Sequence, residues 1–355
     1  MRDNRTMPDE NGTLRVGVVG AGAFGRNHAR VYRELSNDSA QRVEFVGVAD
    51  KDFSRAQAVA AEFRTQAFRS AEELARAGID AASVAVPTVL HLSVARELMQ
   101  AGVDVLIEKP LASTVAEADE LIAIAEMNGR IAQAGHLERF NPAVRATWPL
   151  LTRPMFFEVH RLSIFTPRSL DVDVVLDLMI HDIDIVLAFA RSEVKEVRAV
   201  GLPILSRKID IANVRMEFES GCVANFTASR VSTERVRKLR FFQPKQYVSL
   251  DYSRQDVLVL TVEDVEAAQD ADPFNPACVA ASAFPGIVPF KPKVEQQEPL
   301  KAEIVSILNA VRRRSQPDVT LAAGRQALAV AMQVVEAIAA HSERAHLNEI
   351  AHVKH

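Results

Sequence analysis

The sequence predicts two domains, a doubly wound parallel α/β domain followed by an α+β domain with an antiparallel or mixed sheet. Up to about residue 135, apolar strand-like runs alternate with helical stretches, which is typical of a parallel sheet with helices on both faces. From Met155 onward, strand-like runs follow one another closely and helices are few. A chain of 355 residues is long enough for both domains.

In the first domain, residues 14–140, the apolar runs predict five strands, and alanine-rich and charged stretches predict the helices between them. The strands are 15–19, 43–49, 82–86, 104–107 and 131–135. The helices are 26–35, 54–63, 71–76, 89–101 and 114–128.

The second domain, residues 141–345, contains seven predicted strands and three helices. The strands are 155–162, 194–201, 210–218, 222–229, 235–242, 246–252 and 256–263, and the helices are 174–190, 299–314 and 322–341. The proline-rich stretch 267–293 predicts a long loop, and the polar residues 1–13 predict a disordered tail.

Composition narrows the class of protein. A net charge of −4 gives no electrostatic reason to expect a nucleic-acid or membrane partner. Two cysteines, Cys222 and Cys278, cannot form a disulfide framework, and their spacing is not that of a zinc site. No uncharged apolar run reaches the roughly 18 residues that a membrane span needs. We therefore expect a cytoplasmic enzyme with a small-molecule substrate.

The stretch after the first strand carries a dinucleotide-binding pattern. Glycines at 20, 22 and 25 form G-x-G-x-x-G between a strand and a helix, with Ala23 and Phe24 inside the loop. In this pattern Gly20 permits the tight turn, Gly22 lets the backbone approach a pyrophosphate, and Gly25 lets helix and strand pack closely. The following helix offers unpaired N–H groups and its positive dipole end to the phosphates. Glycines also occur in ordinary strand-to-helix turns, so the prediction of a dinucleotide site depends on the strand before the loop and the helix after it.

The second strand ends in Asp50, which is placed to bind the hydroxyls of the adenosine ribose. A carboxylate there repels a 2′-phosphate, so Asp50 favours NAD over NADP as the cofactor.

Two further strands end at prolines, where the ligand crevice of a parallel sheet lies. Pro87 and Thr88 are therefore expected beside the nicotinamide half of the cofactor, although a simple strand-ending turn explains them equally well. His91, in the first turn of the next helix, is a packing residue or a ligand contact. Lys109, between Glu108 and Pro110, could stabilise a developing alkoxide or move its proton. The alternative is a surface lysine paired with Glu108.

A helix of the second domain carries a carboxylate and an imidazole on one face. Asp177 and His181 are four residues apart, and Asp184 continues the same face. A carboxylate beside an imidazole raises its basicity, as a general base near neutral pH requires. A metal site is only weakly indicated, and a polar stripe on an amphipathic helix remains the structural alternative.

The segment that closes the first domain contains two candidate substrate ligands. Arg139 could hold a phosphate or carboxylate through two hydrogen bonds. Asn141 precedes Pro142 and is also typical of an interdomain turn.

Taken together, these residues resemble the glucose–fructose oxidoreductase/inositol dehydrogenase (Gfo/Idh/MocA) family over nearly the whole chain. The resemblance rests on the glycine loop, Pro87-Thr88, Glu108-Lys109-Pro110, and Asp177 with His181. It implies a Rossmann domain followed by an open, predominantly antiparallel sheet that binds substrate and forms a homodimer or homotetramer. It also implies a C-terminal helix that packs back on the first domain. The resemblance makes Lys109, Asp177 and His181 the catalytic residues, and it places Glu108 and Lys109 among the cofactor-binding residues.

Residues 135–144 are similar to the branch of this family that acts on nucleotide sugars, UDP-N-acetylglucosamine 3-dehydrogenases among them. In that branch Arg139 and Asn141 would approach the diphosphate or the sugar, and His181 would contact the substrate. The chain departs from the family at Met179, which stands where a glycine is frequent and narrows the space beside His181.

Three functions are consistent with these residues. The leading one is an NAD-dependent dehydrogenase of a sugar hydroxyl, at C3 of a UDP-N-acetylhexosamine. The second is oxidation of a free polyol or aldose, in which case Arg139 is structural. The third is a cofactor-binding regulator without turnover, which the intact Lys109, Asp177 and His181 disfavour.

Overall fold

The structure, a computed structural model, describes residues 12–166, 172–262 and 286–346 of the 355-residue chain. Residues 1–11 of the predicted tail, the loop prediction up to residue 285 and Cys278 lie outside the described residues. The chain divides into two compact units. One takes in the chain up to Leu137 together with Glu298–Leu328, and the other comprises Glu138–Gln297 and the chain from Ala329.

The first unit contains a six-stranded parallel sheet flanked by helices. Its strands, in the spatial order β3-β2-β1-β4-β5-β6, are β1 Leu14–Val19, β2 Val43–Ala49, β3 Gln66–Phe68, β4 Ala81–Val84, β5 Asp104–Glu108 and β6 Ala132–Gly135. The helices are α1 Ala23–Asn37, α2 Phe53–Glu62, α3 Ala71–Arg76, α4 His91–Gln100 and α5 Val115–Met127. This strand order is that of a dinucleotide-binding Rossmann domain, with the ligand crevice at the carboxyl ends of the strands. The predicted fold class is confirmed.

The short strand β3 was not predicted. It contains three residues, none of them fully buried, and pairs only with β2 at the edge of the sheet. A strand of this length is too short to show an alternating apolar pattern.

The core of the first unit includes a helix from far along the chain. Helix α8, Pro299–Arg313, buries Ile304, Ile307, Leu308 and Val311 in the same cluster as β1 and α1. Residues 299–314 were predicted to belong to the second domain, whereas the structure groups them with the first unit. Their apolar spacing identifies the helix but carries no information about which sheet it covers.

The second unit is built on an eight-stranded sheet. Its spatial order is β14-β13-β12-β11-β7-β10-β9-β8, and every neighbouring pair is antiparallel except β7 with β10. The strands are β7 Phe156–Ile164, β8 Val194–Leu202, β9 Ile211–Phe218, β10 Val223–Ser232, β11 Val236–Gln243, β12 Gln246–Asp251, β13 Asp256–Val262 and β14 Ile287–Phe290. The sheet is therefore predominantly antiparallel, as predicted.

One face of this sheet is covered by helix α7, Ile180–Ala190, which is buried over most of its length. Phe189 of α7 packs against Phe157 of β7 and Phe241 of β11, with ring centroids 6.5 and 6.0 Å apart. The side chains of the opposite face, such as Glu158 and Arg240, remain partly exposed. The alternation along the strands thus separates a core face from an open face.

Three details of the second unit were not predicted. Strand β14, Ile287–Phe290, pairs with β13 at the edge of the sheet, although it lies within the stretch 267–293 predicted as a loop. A short helix, α6 Pro142–Thr147, begins at Asn141, whose side chain accepts a hydrogen bond from the N–H of Ala143. The predicted continuous helix 174–190 instead begins with a π-helical turn, Val175–Met179, before α7. A π turn differs from an α turn by one inserted residue, so the apolar periodicity does not reveal it.

The last helix, α9 Leu321–Arg344, is long and apolar enough to cross a membrane by length and composition alone. Several of its residues are buried within the described units, including Leu328, Val334 and Ile338. Buried core helices of soluble proteins have the same composition, so this helix is weak support for a membrane span.

Candidate active site

The glycine loop has the backbone geometry that its spacing predicts. Gly20 has a φ of +106°, and a Cβ at this position would lie 2.3 Å from the carbonyl oxygen of Ala85. A Cβ on Gly25 would lie 1.7 Å from the oxygen of Gly20, because α1 packs directly on the turn. At Gly22, by contrast, a Cβ would meet no atom within 4 Å in the described structure. The turn and the packing need two of the glycines, and the third leaves open space outside the loop.

The amino end of α1 fits the phosphates of a dinucleotide. Gly22 is the N-cap of the helix, and the next two residues, Ala23 and Phe24, are exposed. The first turn contains no acidic side chain. Across the described residues, no side chain accepts a hydrogen bond from this helix end in the manner of an N-cap. The N–H groups of this first turn and the positive dipole end can therefore bind an anion.

Asp50, directly after β2, is joined to the glycine loop. Its Oδ2 accepts a hydrogen bond from the N–H of Ala21 at 2.7 Å, and its Oδ1 accepts one from the N–H of Asp52 at 2.8 Å. Each carboxylate oxygen has a second lone pair that can accept a ribose hydroxyl. The nearby Arg55 is paired with Asp52 at 3.0 Å, so its charge is partly offset.

The turn after β4 is fixed by His91. Pro87 precedes a short 3₁₀ turn, Thr88–Leu90, and Pro87 is exposed. The buried ring of His91 lies 3.0 Å from the carbonyl oxygen of Val86 and 2.9 Å from that of Pro110. Burial lowers the pKa of His91 in spite of these carbonyl groups. His91 is therefore a packing residue that links the turns after β4 and β5.

Glu108 and Lys109 end strand β5, and the peptide bond from Lys109 to Pro110 is cis. The N–H of Lys109 lies 3.3 Å from Oε2 of its neighbour Glu108. Glu108 is only 6% exposed, whereas Lys109 is partly exposed. The carboxylate is thus held in the protein, and the lysine lies at the carboxyl edge of the sheet.

A buried chain of polar side chains supports Glu108, and sequence reasoning did not identify it. His28 Nε2 lies 2.7 Å from Glu108 Oε1, His28 Nδ1 lies 2.9 Å from Ser83 Oγ, and Tyr32 O–H lies 2.9 Å from the same oxygen. The Ser83 hydroxyl links Nδ1 of His28 to the Tyr32 hydroxyl, and Nε2 of His28 donates to Glu108. We refer to these four residues as the His28 chain. Its sequence signal is the polar residue His28 on the otherwise apolar inner stripe of α1.

The His28 chain keeps Glu108 ionised. Burial alone would raise the pKa of its carboxyl group, but the hydrogen bond and charge of His28 and the charge of Lys109 together lower it. A negative charge is therefore fixed beside Lys109 in the first unit.

The second unit carries Asp177 and His181 around the π turn. Asp177 is partly exposed within the turn, and its N–H donates to the carbonyl oxygen of Asp173 at 2.9 Å. His181 is 8% exposed at the start of α7, and Met179 between them is buried. Among the described residues, no group of three histidine, cysteine or acidic side chains has the arrangement of a metal site.

Two arginines bind the two carboxylates that follow His181 in α7. Arg161 of β7 binds Asp182 through Nε at 2.5 Å and Nη2 at 2.9 Å. Arg139 binds Asp184 through Nε at 2.6 Å and Nη2 at 2.8 Å. Both pairs are bidentate, the geometry that fixes orientation best. The turn of helix that carries His181 is thereby held at two positions.

These contacts bear on the two predicted substrate ligands. Two nitrogens of the Arg139 guanidinium bind Asp184, and its side chain is 15% exposed. Asn141 is 2% exposed, and its amide donates to Glu138 Oε2 and to the carbonyl oxygen of Tyr252 at 3.1 and 3.0 Å. Both arrangements favour structural roles, and contact with substrate stays a prediction for both side chains.

Comparison with known proteins places these features in a family. Residues 14–136 match the oxidoreductase family with an NAD-binding Rossmann fold, and residues 144–245 match the GFO/IDH/MocA C-terminal domain. The chain is 36% identical to a UDP-N-acetylglucosamine 3-dehydrogenase of Acidithiobacillus ferrooxidans over 332 residues, covering 93% of this chain and 99% of that protein.

Two further similarities bear on fold and function. A solved structure of the Acidithiobacillus ferrooxidans enzyme superimposes with a TM-score of 0.82 and 36% identity, covering 92% of this chain and 98% of the other. An inositol 2-dehydrogenase of Saccharopolyspora erythraea is 34% identical over 199 residues, covering 52% of this chain and 57% of that protein.

Proposed function

This chain belongs to the Gfo/Idh/MocA oxidoreductase family, and from that premise we propose that it oxidises C3 of a UDP-N-acetylhexosamine with NAD. The observation that carries the proposal is the 36% identity to a UDP-N-acetylglucosamine 3-dehydrogenase over almost the full length of both chains. Lys109, Asp177 and His181, which the family resemblance marks as catalytic, are all present.

The first unit offers a consistent set of groups for the dinucleotide. The open space at Gly22 and the amino end of α1 accept the pyrophosphate, and Asp50 accepts the ribose hydroxyls. When bound, NAD supplies the hydride acceptor. The residues that we assign to it are Gly20, Gly22, Ala23, Phe24, Gly25, Asp50, Pro87, Thr88, Glu108 and Lys109.

Asp50 supports NAD rather than NADP. Its carboxylate, fixed by two backbone N–H groups, would lie against a 2′-phosphate and repel it. The pairing of Arg55 with Asp52 reduces the attraction that a 2′-phosphate could gain from this arginine.

The catalytic roles follow from charge. The ammonium group of Lys109 stabilises the oxygen that gains negative charge as the hydroxyl loses its proton. A ring nitrogen of His181 accepts that proton, and Asp177 orients the imidazole and favours its protonated form. Arg139 and Asn141, predicted as substrate ligands, act in this proposal by holding the polypeptide around His181.

The test is a substrate panel with one catalytic variant. The purified enzyme is given UDP-N-acetylglucosamine, UDP-N-acetylgalactosamine, free N-acetylglucosamine, glucose and myo-inositol with NAD or NADP, and the absorbance of reduced nicotinamide is followed. We expect oxidation of a UDP-sugar with NAD. Lys109→Ala should lower turnover by about two to four orders of magnitude while NAD binding is kept. Lys301→Ala, which removes an exposed lysine of the same unit, is the matched control. Unchanged turnover in Lys109→Ala would refute the assignment.

The second candidate, a dehydrogenase of a free polyol, is favoured by the 34% identity to an inositol 2-dehydrogenase over half of the chain. Oxidation of myo-inositol without oxidation of any UDP-sugar would establish it. Tight NAD binding with no oxidation across the panel would establish the third candidate, a regulator.

We further propose a cytoplasmic homodimer or homotetramer that assembles through the open face of the eight-stranded sheet. Phe156, Phe242 and Tyr247 form an aromatic cluster on that face, with ring centroids 5.7 and 5.2 Å apart. Phe242→Asp should shift sedimentation toward the monomer, because a charge would replace an aromatic contact in the interface.

A further inference from the structure

We propose that Arg237 of β11 binds the anionic part of the substrate, a diphosphate or similar oxyanion, a role that the sequence analysis gave to Arg139. This inference rests on the proposed function for the identity of the anion. Its basis is the arrangement of charges at one end of the core face of the eight-stranded sheet.

Arg237 lies directly across from Arg161. Strands β7 and β11 are antiparallel, and Arg237 and Arg161 are register partners. Arg237 shares its face of β11 with the buried residues Leu239 and Phe241, so its side chain belongs to the core face. Like charges directly opposite each other destabilise a sheet. A second arginine placed directly opposite Arg161 is therefore an unusual feature of this strand pair.

The neighbouring carboxylates are bound by Arg161. Its guanidinium contacts Asp182 at 2.5 and 2.9 Å and Glu138 at 3.1 Å, and all three side chains are almost fully buried. The ring of Tyr252 lies 5.1 Å from the guanidinium carbon of Arg161. Arg161 thus uses three of its nitrogens on the two acids, and its charge is balanced within the protein.

The hydrogen bonding of Arg237 differs from that of Arg161. Within the described parts of the chain, the buried Nε of Arg237 has no hydrogen-bond partner. Burial and the charges of Arg161 and Arg235 lower the pKa of Arg237, although Glu138 and Asp182 act in the opposite direction. A buried donor without an acceptor costs free energy, and an oxyanion with several acceptor oxygens would remove that cost.

A phosphate or diphosphate group has the acceptor oxygens that fit the guanidinium of Arg237. A guanidinium binds phosphate through two parallel N–H···O bonds, and a diphosphate provides oxygens for that geometry. Arg161 binds Asp182, which directly follows His181 in α7, so Arg237, the register partner of Arg161, lies near the turn of helix that carries His181. An anion on Arg237 would therefore anchor a substrate whose sugar reacts nearby.

The test compares two variants of one strand. Arg237→Gln removes the proposed ligand, and Arg240→Gln removes an arginine of β11 that is paired with Glu158 at 3.0 Å on the opposite face. The Kd of UDP is measured by titration calorimetry, KM and kcat for UDP-N-acetylglucosamine are measured with NAD, and Tm is measured without ligand. We expect Arg237→Gln to weaken UDP binding and raise KM by about tenfold or more, with kcat changed less. Arg240→Gln should behave as the parent protein.

The measurements distinguish a loss of stability, a failure of the proposed subsite and a failure of the proposed function. Arg237→Gln removes both a repulsion from Arg161 and an attraction to Glu138 and Asp182, so its Tm should change little. The Tm measured without ligand then shows that a weaker affinity is not a consequence of unfolding. If the parent protein oxidises UDP-N-acetylglucosamine but Arg237→Gln keeps the parental UDP Kd and KM, the subsite is refuted and the proposed function stands. If no UDP-sugar is oxidised but UDP binding still depends on Arg237, the subsite stands and the proposed function fails. Absence of UDP binding by the parent protein would refute the subsite.

Discussion

The His28 chain offers a sharp test of how the first unit holds charge near Lys109. The change is His28→Leu, which introduces an apolar side chain of similar bulk and removes the hydrogen bonds to Glu108 and Ser83. Glu108 would then be a buried carboxylate without its imidazole partner. Removing one partner of a buried charged pair costs about 3–5 kcal/mol, so we expect the free energy of unfolding to fall by about 3 kcal/mol at pH 7.

The loss should depend on pH, in a direction that the structure fixes. In the parent protein the pKa of Glu108 is lowered, so its stabilisation is present above the ordinary glutamate pKa and is lost as pH falls through the lowered value. In His28→Leu, burial raises the pKa of the same group, so the penalty is relieved as pH falls and the carboxyl group takes up a proton. Because of both effects, the free energies of unfolding of the two proteins should differ less at pH 4 than at pH 7.

The assay is urea unfolding followed by far-UV circular dichroism at both pH values. The fluorescence of Trp148, the single tryptophan, reports on the second unit and serves as an internal control. Tyr32→Phe removes the neutral hydrogen bond to Ser83 at the far end of the His28 chain. It should lower the free energy of unfolding by about 1 kcal/mol at either pH. The double variant His28→Leu/Glu108→Leu should recover much of the loss, since no buried charge remains. A loss in His28→Leu that is equal at pH 4 and pH 7 would refute the reasoning.

Three further changes follow from single contacts. Gly22→Val fills the open space outside the loop, so Tm should stay unchanged while calorimetry shows NAD binding weakened; Gly25→Ala should instead lower Tm, because its Cβ would lie 1.7 Å from a carbonyl oxygen. Asp50→Ala should lower the kcat/KM ratio of NAD to NADP by about tenfold or more, and an unchanged ratio would contradict the role of the carboxylate. Asp184→Asn breaks the buried bidentate pair with Arg139, so urea unfolding should show a loss of about 3 kcal/mol; a loss under about 0.5 kcal/mol would show that this pair does not hold the helix.

The sequence predicted most of the fold because its periodicities are strong and local. All five strands predicted for the first domain are present, and the pattern of closely spaced strands correctly indicated a mostly antiparallel sheet. The exceptions have physical causes. Strand β3 is too short to show alternation, the π turn inserts a residue without changing the apolar content, and α8 joins a sheet from which it is distant in sequence. Periodicity reports which face of an element is buried and not what covers that face.

Site residues show the same division. The glycine loop is a local pattern, and its geometry shows the tight turn at Gly20, the close packing at Gly25 and open space at Gly22. His28 and Ser83 are 55 residues apart, so their contact depends on strand order and helix packing. Arg139 and Arg237 are chemically equivalent in the sequence, and the structure alone shows that one binds Asp184 while the other faces Arg161.

By itself, the sequence determined the family, the dinucleotide-binding loop and the identity of three catalytic candidates, because these depend on residue types at short spacing. Tertiary structure decided which polar groups are buried, which charges are paired, and so which arginine we propose as the ligand of an anion. The reason is physical: a charge acts through its distance to other charges and its exposure to water, and both are set only when the strands and helices have packed.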